Sequence, residues 1–181
     1  MIQNCYSYAW ERRGQTTCQW GKDNTGLIEY KINDQGFRSP QNYNTVPDYA
    51  FFGNSIVFGV GVDQAQTLVS YFENSHNYGL SGNYMNHHSV TNLQCFATNE
   101  SYRSKIRVVF FWIDRPEPIE DMIQQVNQII PGVLHISSGQ KKRGAINLMP
   151  HIDSDVSGTH PGPKTHRMWA KTIKLLLNRD R

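Results

Sequence analysis

The sequence predicts an α/β fold in which a mostly parallel central sheet is covered by helices on both faces. The main observation is that short apolar runs alternate with segments of helical periodicity from residue 49 to the end. Such alternation is typical of parallel strands joined by crossover helices. Residues 1–47 are instead polar and rich in Asn, Gln, Gly and Tyr. We therefore expect an N-terminal extension over 1–47 that packs on a main domain over 48–181.

The strands of this fold are predicted from short apolar runs bounded by turn residues. In the extension, Leu27 to Ile32 alternates apolar and polar residues, as a half-buried strand does. The sequence NDQG then predicts a turn. In the main domain the runs are rich in apolar residues, which favours buried strands. They are YAFFG at 49–53, HNYGL at 76–80, IRVVFFW at 106–112 and GVLHIS at 132–137.

Four helices are predicted between and after these strands. The first covers about 63–74, where Asp63 can cap the N-terminus and Gln66 follows three residues later. A further helix is predicted over about 89–97. Segment 117–130 has apolar residues at helical spacing with acids in its first turn, and segment 167–179 is amphipathic and ends in basic residues, so both are predicted to be helices.

Composition and charge exclude several classes of protein. The chain has 38% hydrophobic and 18% charged residues, which is typical of a globular protein and not of a disordered one. Its formal net charge is only +3, so we expect no nucleic-acid partner and interpret the basic run KKR at 141–143 as a solvated loop. No apolar run approaches the ~20 residues of a membrane span, and the first residues do not resemble a secretory leader.

Cysteine and glycine patterns do not indicate a metal or nucleotide site. The three cysteines, Cys5, Cys18 and Cys95, are odd in number and irregularly spaced, which predicts neither a disulfide framework nor a zinc site. Together with the missing leader, they favour a cytoplasmic protein with reduced thiols. The glycines of GNSIVFGVG match neither a dinucleotide fingerprint nor a phosphate loop.

The stretch FFGNSIVFGVGV at 51–62 places a small polar residue, Ser55, just past a predicted buried strand. Open α/β sheets expose their chemistry at the carboxyl ends of strands, so Ser55 is a candidate nucleophile. A Ser hydroxyl needs a base to take its proton, and among seven histidines His160 stands out in the Gly/Pro-rich loop before the last helix. We expect Ser55 Oγ and a His160 ring nitrogen to lie at roughly 2.6–3.2 Å.

Three segments, in this order, resemble the sequence blocks of the SGNH/GDSL hydrolase family. They are FFGNSIVFGVGV for the first block, NYGLSGN at 77–83 for the second and SGTHPGPKTHRMWA at 157–170 for the last. INDQGFRSP at 32–40 also resembles a lead-in found in some members. The resemblance implies a three-layer, flavodoxin-like α/β/α architecture. It also implies that Ser55 is the nucleophile, that His160 is the base, and that the N–H groups of Ser55 and Gly82 form the oxyanion hole.

The sequence departs from the family pattern at three positions. Asn54 replaces the Asp of Gly-Asp-Ser, Ser157 replaces the Asp three residues before the His, and Ile113 stands where the third block has Asn. The group that orients the His therefore stays open, and Asp155, Asp153 or a backbone carbonyl could serve. Asn83, beside Gly82, carries an amide that could replace the missing oxyanion donor.

These candidates predict a serine ester hydrolase that acts through an acyl-enzyme, with a Ser-His dyad or an atypical triad. No metal or organic cofactor is expected. The family resemblance implies a small-molecule or acylated-sugar ester as substrate. Two alternatives stay open, which are a catalytically weakened scaffold that serves as a binding or interaction module, and an acyltransferase. The sequence does not determine the acyl group, the alcohol or the oligomeric state.

Overall fold

The computed structural model describes residues 20–22, 25–33, 35–39, 43–80, 87–97, 108–112, 119–138 and 145–179. Within these ranges the strands are β1 Trp20–Lys22, β2 Glu29–Lys31, β3 Tyr49–Gly53, β4 Ser75–Gly79, β5 Val108–Trp112, β6 Leu134–Ser138 and β7 Ile146–Leu148. The α-helices are α1 Ser55–Phe58, α2 His87–Ala97, α3 Ile119–Ile129 and α4 Pro163–Arg179. Two short 3₁₀ helices, Gln64–Gln66 and Val69–Tyr71, lie between α1 and β4.

Five of these strands form one parallel sheet in the order β4-β3-β5-β6-β7. The register places Phe51 of β3 between Asn77 of β4 and Phe110 of β5. Because the strands are parallel, β3 and β4 reach the same edge of the sheet at Gly53 and Gly79. The predicted α/β class with a parallel sheet is therefore confirmed for the described residues. Strands β1 and β2 pair separately as an antiparallel ribbon.

A hydrophobic core lies on each face of this sheet, because successive side chains of a strand point to opposite sides. Phe52 belongs to one core, together with Leu93 and other apolar residues of α2. Phe51 belongs to the other core, together with Trp169 and Ile173 of α4. Both phenylalanines are completely buried. The carboxyl end of β3 is thus packed from both sides, which makes it a rigid support for the residues that follow Gly53.

The N-terminal region contributes a strand with the predicted alternation. The even positions Ile28, Tyr30 and Ile32 are buried, whereas Leu27, Glu29 and Lys31 are exposed. The buried residues form a small cluster with Phe58 at the end of α1. The ring of Tyr30 meets that of Phe58 edge-on, with centroids 5.2 Å apart. This part of the predicted extension therefore packs directly against α1, while the boundary at residue 47 stays a prediction.

Arg38 is completely buried and serves as the hydrogen-bond donor for the loop after α1. Its guanidinium donates to the carbonyl oxygens of Phe58 at 3.0 Å and Val62 at 2.6 Å, and also to that of Gly59. Its Nε donates to Oε1 of Gln64 at 2.9 Å. Burial lowers the pKa of Arg38 to about 10, against the opposing effects of Tyr30, Asp63 and Tyr43. At that value the side chain stays charged at neutral pH.

Replacing Arg38 with Met is expected to lower the free energy of unfolding by about 3–5 kcal/mol. The apolar side chain fills a similar volume but leaves the buried carbonyl oxygens at 58, 59 and 62 without their donor. Arg38→Lys should recover little, because one ammonium cannot reproduce the planar fork. Urea unfolding measures the difference, with the exposed Arg167→Met as the matched control. Equal stabilities of the two Met variants would contradict this account.

Segment 63–74 does not form the predicted α-helix, and the cap predicted at Asp63 makes no side-chain hydrogen bond. The structure has two 3₁₀ turns there. Side-chain hydroxyls take part in the backbone bonding instead. Thr67 Oγ1 donates to the Gln64 carbonyl at 3.1 Å, and Ser70 Oγ donates to the Thr67 carbonyl at 2.7 Å. Such local bonds compete with the regular helical pattern, which explains the error.

Other differences concern one helix start and three short elements. Helix α4 begins at Pro163, four residues before the predicted start, since Pro is well suited to the first position of a helix. The short elements β1, α1 and β7 were not predicted. Each has three or four residues, which is too short for a periodic pattern to be recognised.

The prediction of reduced thiols is wrong for Cys95, which is disulfide-bonded. Its partner lies outside the described residues. Disulfides persist mainly in oxidising compartments, so the cysteines no longer favour the cytoplasmic location that we predicted. Among the helices that the structure describes, none combines the length and the apolar character needed to cross a bilayer.

Two buried histidines are held in the neutral form. His76 of β4 stacks on Tyr43 with ring centroids 3.8 Å apart, and its Nδ1 lies 2.7 Å from the Tyr78 hydroxyl. Burial lowers the pKa of His76 to about 3. His166 of α4 accepts the Leu68 N–H at Nδ1, at 3.0 Å. Burial, assisted by the positive charge of Arg38, lowers the pKa of His166 to about 4.

The free energy of unfolding is expected to fall by about 2 kcal/mol for each of these two histidines between pH 7 and pH 5. An unfolded His has a pKa of 6.5, so in this range the unfolded chain binds protons that the folded protein excludes. The loss levels off only below the folded pKa values. Urea titrations at a series of pH values measure it. His166→Gln keeps an acceptor for Leu68 and should reduce the slope, whereas an unchanged slope would contradict the assignment.

Candidate active site

Ser55 is the first residue of α1 and is separated from the carboxyl end of β3 by one residue, Asn54. Asn54 caps this helix, because its Oδ1 accepts the Ile56 N–H at 2.9 Å. Asn and Asp are about equally good at this position. The departure from Gly-Asp-Ser at residue 54 therefore preserves the helix cap. Ser55 itself is half-buried, so its hydroxyl stands at the rim of the sheet.

The neighbouring strand holds α1 closely in place. The Leu80 N–H donates to the Gly53 carbonyl at 2.9 Å, which ties the end of β4 to the turn before Ser55. A Cβ atom at Gly79 would overlap the backbone of Val57 and Phe58. Only glycine permits this approach of helix and strand. The position of Ser55 is thus determined by two strands and not by the turn alone.

His160 lies in the loop between β7 and α4, and the structure brings it to Ser55. Its Nε2 is 3.0 Å from Ser55 Oγ, within the range expected from the sequence. The His160 side chain is 28% exposed, so the pair is accessible to a ligand. The predicted proximity of these two side chains is confirmed.

The structure places the carboxylate of Asp155, whose side chain is completely buried, beside this pair. Asp155 Oδ1 accepts the backbone N–H groups of Thr159 and His160, both at 3.1 Å. Its Oδ2 lies 3.7 Å from His160 Nδ1. That separation allows an electrostatic interaction, but it is longer than a hydrogen bond. The Thr159 hydroxyl oxygen does lie within hydrogen-bond distance of Nδ1, at 3.0 Å.

The loop that follows α1 packs against the Asp155 carboxylate. A Cβ at Gly61 would overlap the Asp155 side chain, and Gly61 has a φ of 74°, which L side chains rarely adopt. The Gly61 N–H donates to the Tyr30 hydroxyl at 2.8 Å, and its carbonyl accepts the Val156 N–H at 3.4 Å. Through Tyr30 and Arg38, the N-terminal region therefore supports the loop against which Asp155 packs.

Asp153, the other acid considered for orienting His160, has a different role. Its Oδ2 accepts the Lys164 N–H at 2.9 Å and its Oδ1 accepts the Thr165 N–H at 2.8 Å, so it caps α4. Desolvation acts to raise the pKa of Asp153, but the hydrogen bonds from Thr165 and Lys164 outweigh it and lower the pKa. Both Asp153 oxygens thus serve the N-terminus of α4, whereas Asp155 is the acid that the structure places beside the His160 ring.

Several predicted or relevant positions lie outside the described residues. They are Gly82, Asn83, Ile113 and the basic run at 141–143. Of the predicted oxyanion donors, the structure describes only Ser55. Its backbone N–H stands at the start of α1, where helical N–H groups have no acceptor within the helix. Within the described part of the chain, no group of three or more His, Cys, Asp or Glu residues is arranged to hold a metal ion.

Sequence reasoning missed two groups of residues at this site. Thr159 was overlooked because a hydroxyl beside a histidine is not a recognised motif, although its position next to His160 is visible in the sequence. Arg38 and Tyr30 were overlooked because their contacts with the loop after α1 link residues about twenty or more positions apart. No local pattern in the sequence predicts such contacts.

The chain has no match among models of protein families, and comparison with curated proteins also finds none.

Proposed function

We propose that this protein is a serine ester hydrolase with an SGNH-like, three-layer α/β/α architecture. The observation that carries the proposal is the 3.0 Å contact between Ser55 Oγ and His160 Nε2 at the carboxyl edge of a parallel sheet. A Ser hydroxyl in contact with an imidazole, whose other nitrogen is held by a third group, is the arrangement that activates a nucleophile. Here Thr159 lies at that other nitrogen and Asp155 lies just behind it.

The proposed reaction begins when His160 Nε2 takes the proton of Ser55 Oγ as the oxygen attacks the ester carbonyl carbon. The backbone N–H groups of Ser55 and Gly82 stabilise the oxyanion, with the amide of Asn83 as a further donor. His160 then gives the proton to the leaving alcohol, and an acyl-enzyme remains. Water, activated by the same ring, attacks the acyl carbon and releases the acid and free Ser55.

The buried charge of Asp155 favours this sequence of steps. His160 becomes positively charged while the tetrahedral intermediate exists, and the buried carboxylate at 3.7 Å from Nδ1 stabilises that charge. The mechanism is therefore an atypical triad, in which the acid lies five residues before the histidine. Ser157, at the position where the family has Asp, hydrogen-bonds to the same carboxylate at 2.8 Å.

The substrate class that we propose is a small-molecule or acylated-sugar ester. The half-exposed Ser55–His160 pair is open enough to admit such a ligand. If an alcohol replaces water in the second half of the reaction, the same acyl-enzyme supports acyl transfer. The proposed steps need no metal and no organic cofactor.

Incubation with a fluorophosphonate probe, followed by intact-mass spectrometry, tests the proposal. We expect one adduct on the wild-type protein and none on Ser55→Ala. Ser70→Ala is the matched control, because Ser70 is exposed but its hydroxyl donates to backbone carbonyls at Ala65 and Thr67. No adduct on the wild type after long exposure would instead support a binding or interaction module.

A further inference from the structure

We propose that the Thr159 hydroxyl, and not the Asp155 carboxylate, is the direct partner of His160 Nδ1, and that Ser157 links this hydroxyl to the carboxylate. This inference rests on the proposed function and adds two positioning residues to it. The distances form a continuous series. Nδ1 lies 3.0 Å from Thr159 Oγ1, which lies 2.7 Å from Ser157 Oγ, which lies 2.8 Å from the oxygens of Asp155.

The charge of Asp155 determines the direction of these hydrogen bonds. An ionised carboxylate can only accept, so Ser157 must give it its single hydroxyl proton. The short contact between Ser157 and Thr159 then needs the Thr159 proton, since two oxygen lone pairs facing each other at 2.7 Å repel. Thr159 has no second proton and must accept from His160. Nδ1 therefore carries the proton of the neutral ring.

This direction has a chemical consequence at the other side of the ring. With its proton on Nδ1, neutral His160 presents an unprotonated Nε2 to Ser55 Oγ, which is the form that a general base needs. The opposite tautomer would direct an N–H at the Ser55 oxygen and could not take its proton. The two hydroxyls thus hold His160 in the reactive tautomer, a task that a directly bonded carboxylate performs in a conventional triad.

The carboxylate is not free to move in and replace the hydroxyls. Its Oδ1 accepts the N–H groups of Thr159 and His160 at 3.1 Å, and the carboxylate packs against Gly61, where a Cβ would overlap it. The carboxylate is completely buried, whereas Ser157 and Thr159 are exposed and bridge from it to the half-exposed ring. At position 157, where the family has Asp, Ser157 therefore helps to connect a different carboxylate, that of Asp155, to the His160 ring.

The first test measures the tautomer directly by ¹⁵N NMR of histidine-labelled protein, with the His160 signals assigned from His160→Gln. With the His160 ring neutral, we expect the Nδ1–H tautomer in the wild type and in Thr159→Ser. In Thr159→Val we expect a shift toward the Nε2–H tautomer. Val has nearly the shape of Thr but neither donates nor accepts. Thr172→Val, whose hydroxyl bonds to the Met168 carbonyl within α4, should change nothing. An Nε2–H form in the wild type would overturn the inference.

The second test measures kcat/KM on an activated ester such as p-nitrophenyl acetate. Thr159→Val should lower it by about 10²–10³-fold, less than the ~10⁴ of a lost triad acid because Asp155 stays in place. Thr159→Ser should restore most of the rate. Thr159→Val within twofold of the wild type would contradict the inference. Should the wild type take no fluorophosphonate adduct while its tautomer responds to Thr159→Val, the hydrolase proposal fails and the hydrogen-bond series stands.

Discussion

Replacing Ser55 with Ala is expected to lower kcat/KM on an activated ester by about 10⁴–10⁶-fold. The alanine removes the oxygen that forms the acyl-enzyme in the proposed mechanism, and His160, which is 3.0 Å from that oxygen, loses the proton that it would accept. His160→Ala should cause a loss of similar size, because a Ser hydroxyl without a base is a weak nucleophile.

The double variant Ser55→Ala/His160→Ala makes this test sharper. Residues that act as one unit are strongly non-additive, so the double variant should be no slower than either single variant. Steady-state kinetics on the activated ester and melting temperatures for all three proteins provide the measurement and the check on folding. Losses that multiply would indicate that the two residues act separately, which the proposed mechanism does not allow.

Replacing Asp155 with Asn is expected to lower kcat/KM by about 10²–10⁴-fold, by analogy with the loss of a triad acid. Asn keeps the size of the side chain and an oxygen that can accept from the Thr159 and His160 N–H groups. It removes the negative charge at 3.7 Å from Nδ1 and one of the two oxygens that accept from Ser157. The rate should therefore fall by much more than the stability.

Ser157→Asp distinguishes a relocated acid from a degraded triad. If Asp155 is the acid that stabilises charged His160, a second carboxylate at 157 should not raise kcat/KM. The new carboxylate would also lie within hydrogen-bond distance of the buried negative charge of Asp155. A gain at 157 without a loss at 155 would show that the triad lacks an acid. If neither variant changes the rate and both fold, the carboxylate account is wrong, and a Ser-His dyad or a binding scaffold remains.

Only part of the fold could be predicted from the sequence. The buried strand before Ser55 was predicted at its observed bounds, because a continuous apolar run ended by Gly is typical of a strand inside a parallel sheet. The segment after Asp63 was predicted incorrectly as an α-helix. Its apolar spacing resembles that of a helix, but the hydroxyls of Thr67 and Ser70 bond to nearby carbonyls and favour 3₁₀ turns. Apolar periodicity does not show that side-chain hydrogen bonds compete with the regular helical ones.

The candidate site could also be predicted from the sequence only in part. The sequence alone pointed to Ser55 and His160, because a serine past a strand and a histidine before the last helix occupy loops at one edge of a parallel sheet. The sequence could not choose between Asp153 and Asp155, since both are acids in one polar loop. The choice depends on contacts with distant parts of the chain, because Asp153 meets the N-terminus of α4 and Asp155 packs against Gly61.

What the sequence by itself determined, then, is the α/β class, the strand before the serine, and the pair Ser55 and His160. Only the tertiary structure decided which carboxylate stands near the ring and which hydroxyl contacts Nδ1. It alone also showed that Arg38 supports the loop after α1, against which Asp155 packs. The physical reason is that apolar periodicity is a local property of the chain. Hydrogen bonds of buried polar groups depend instead on which distant segments meet, and only the folded chain brings those segments together.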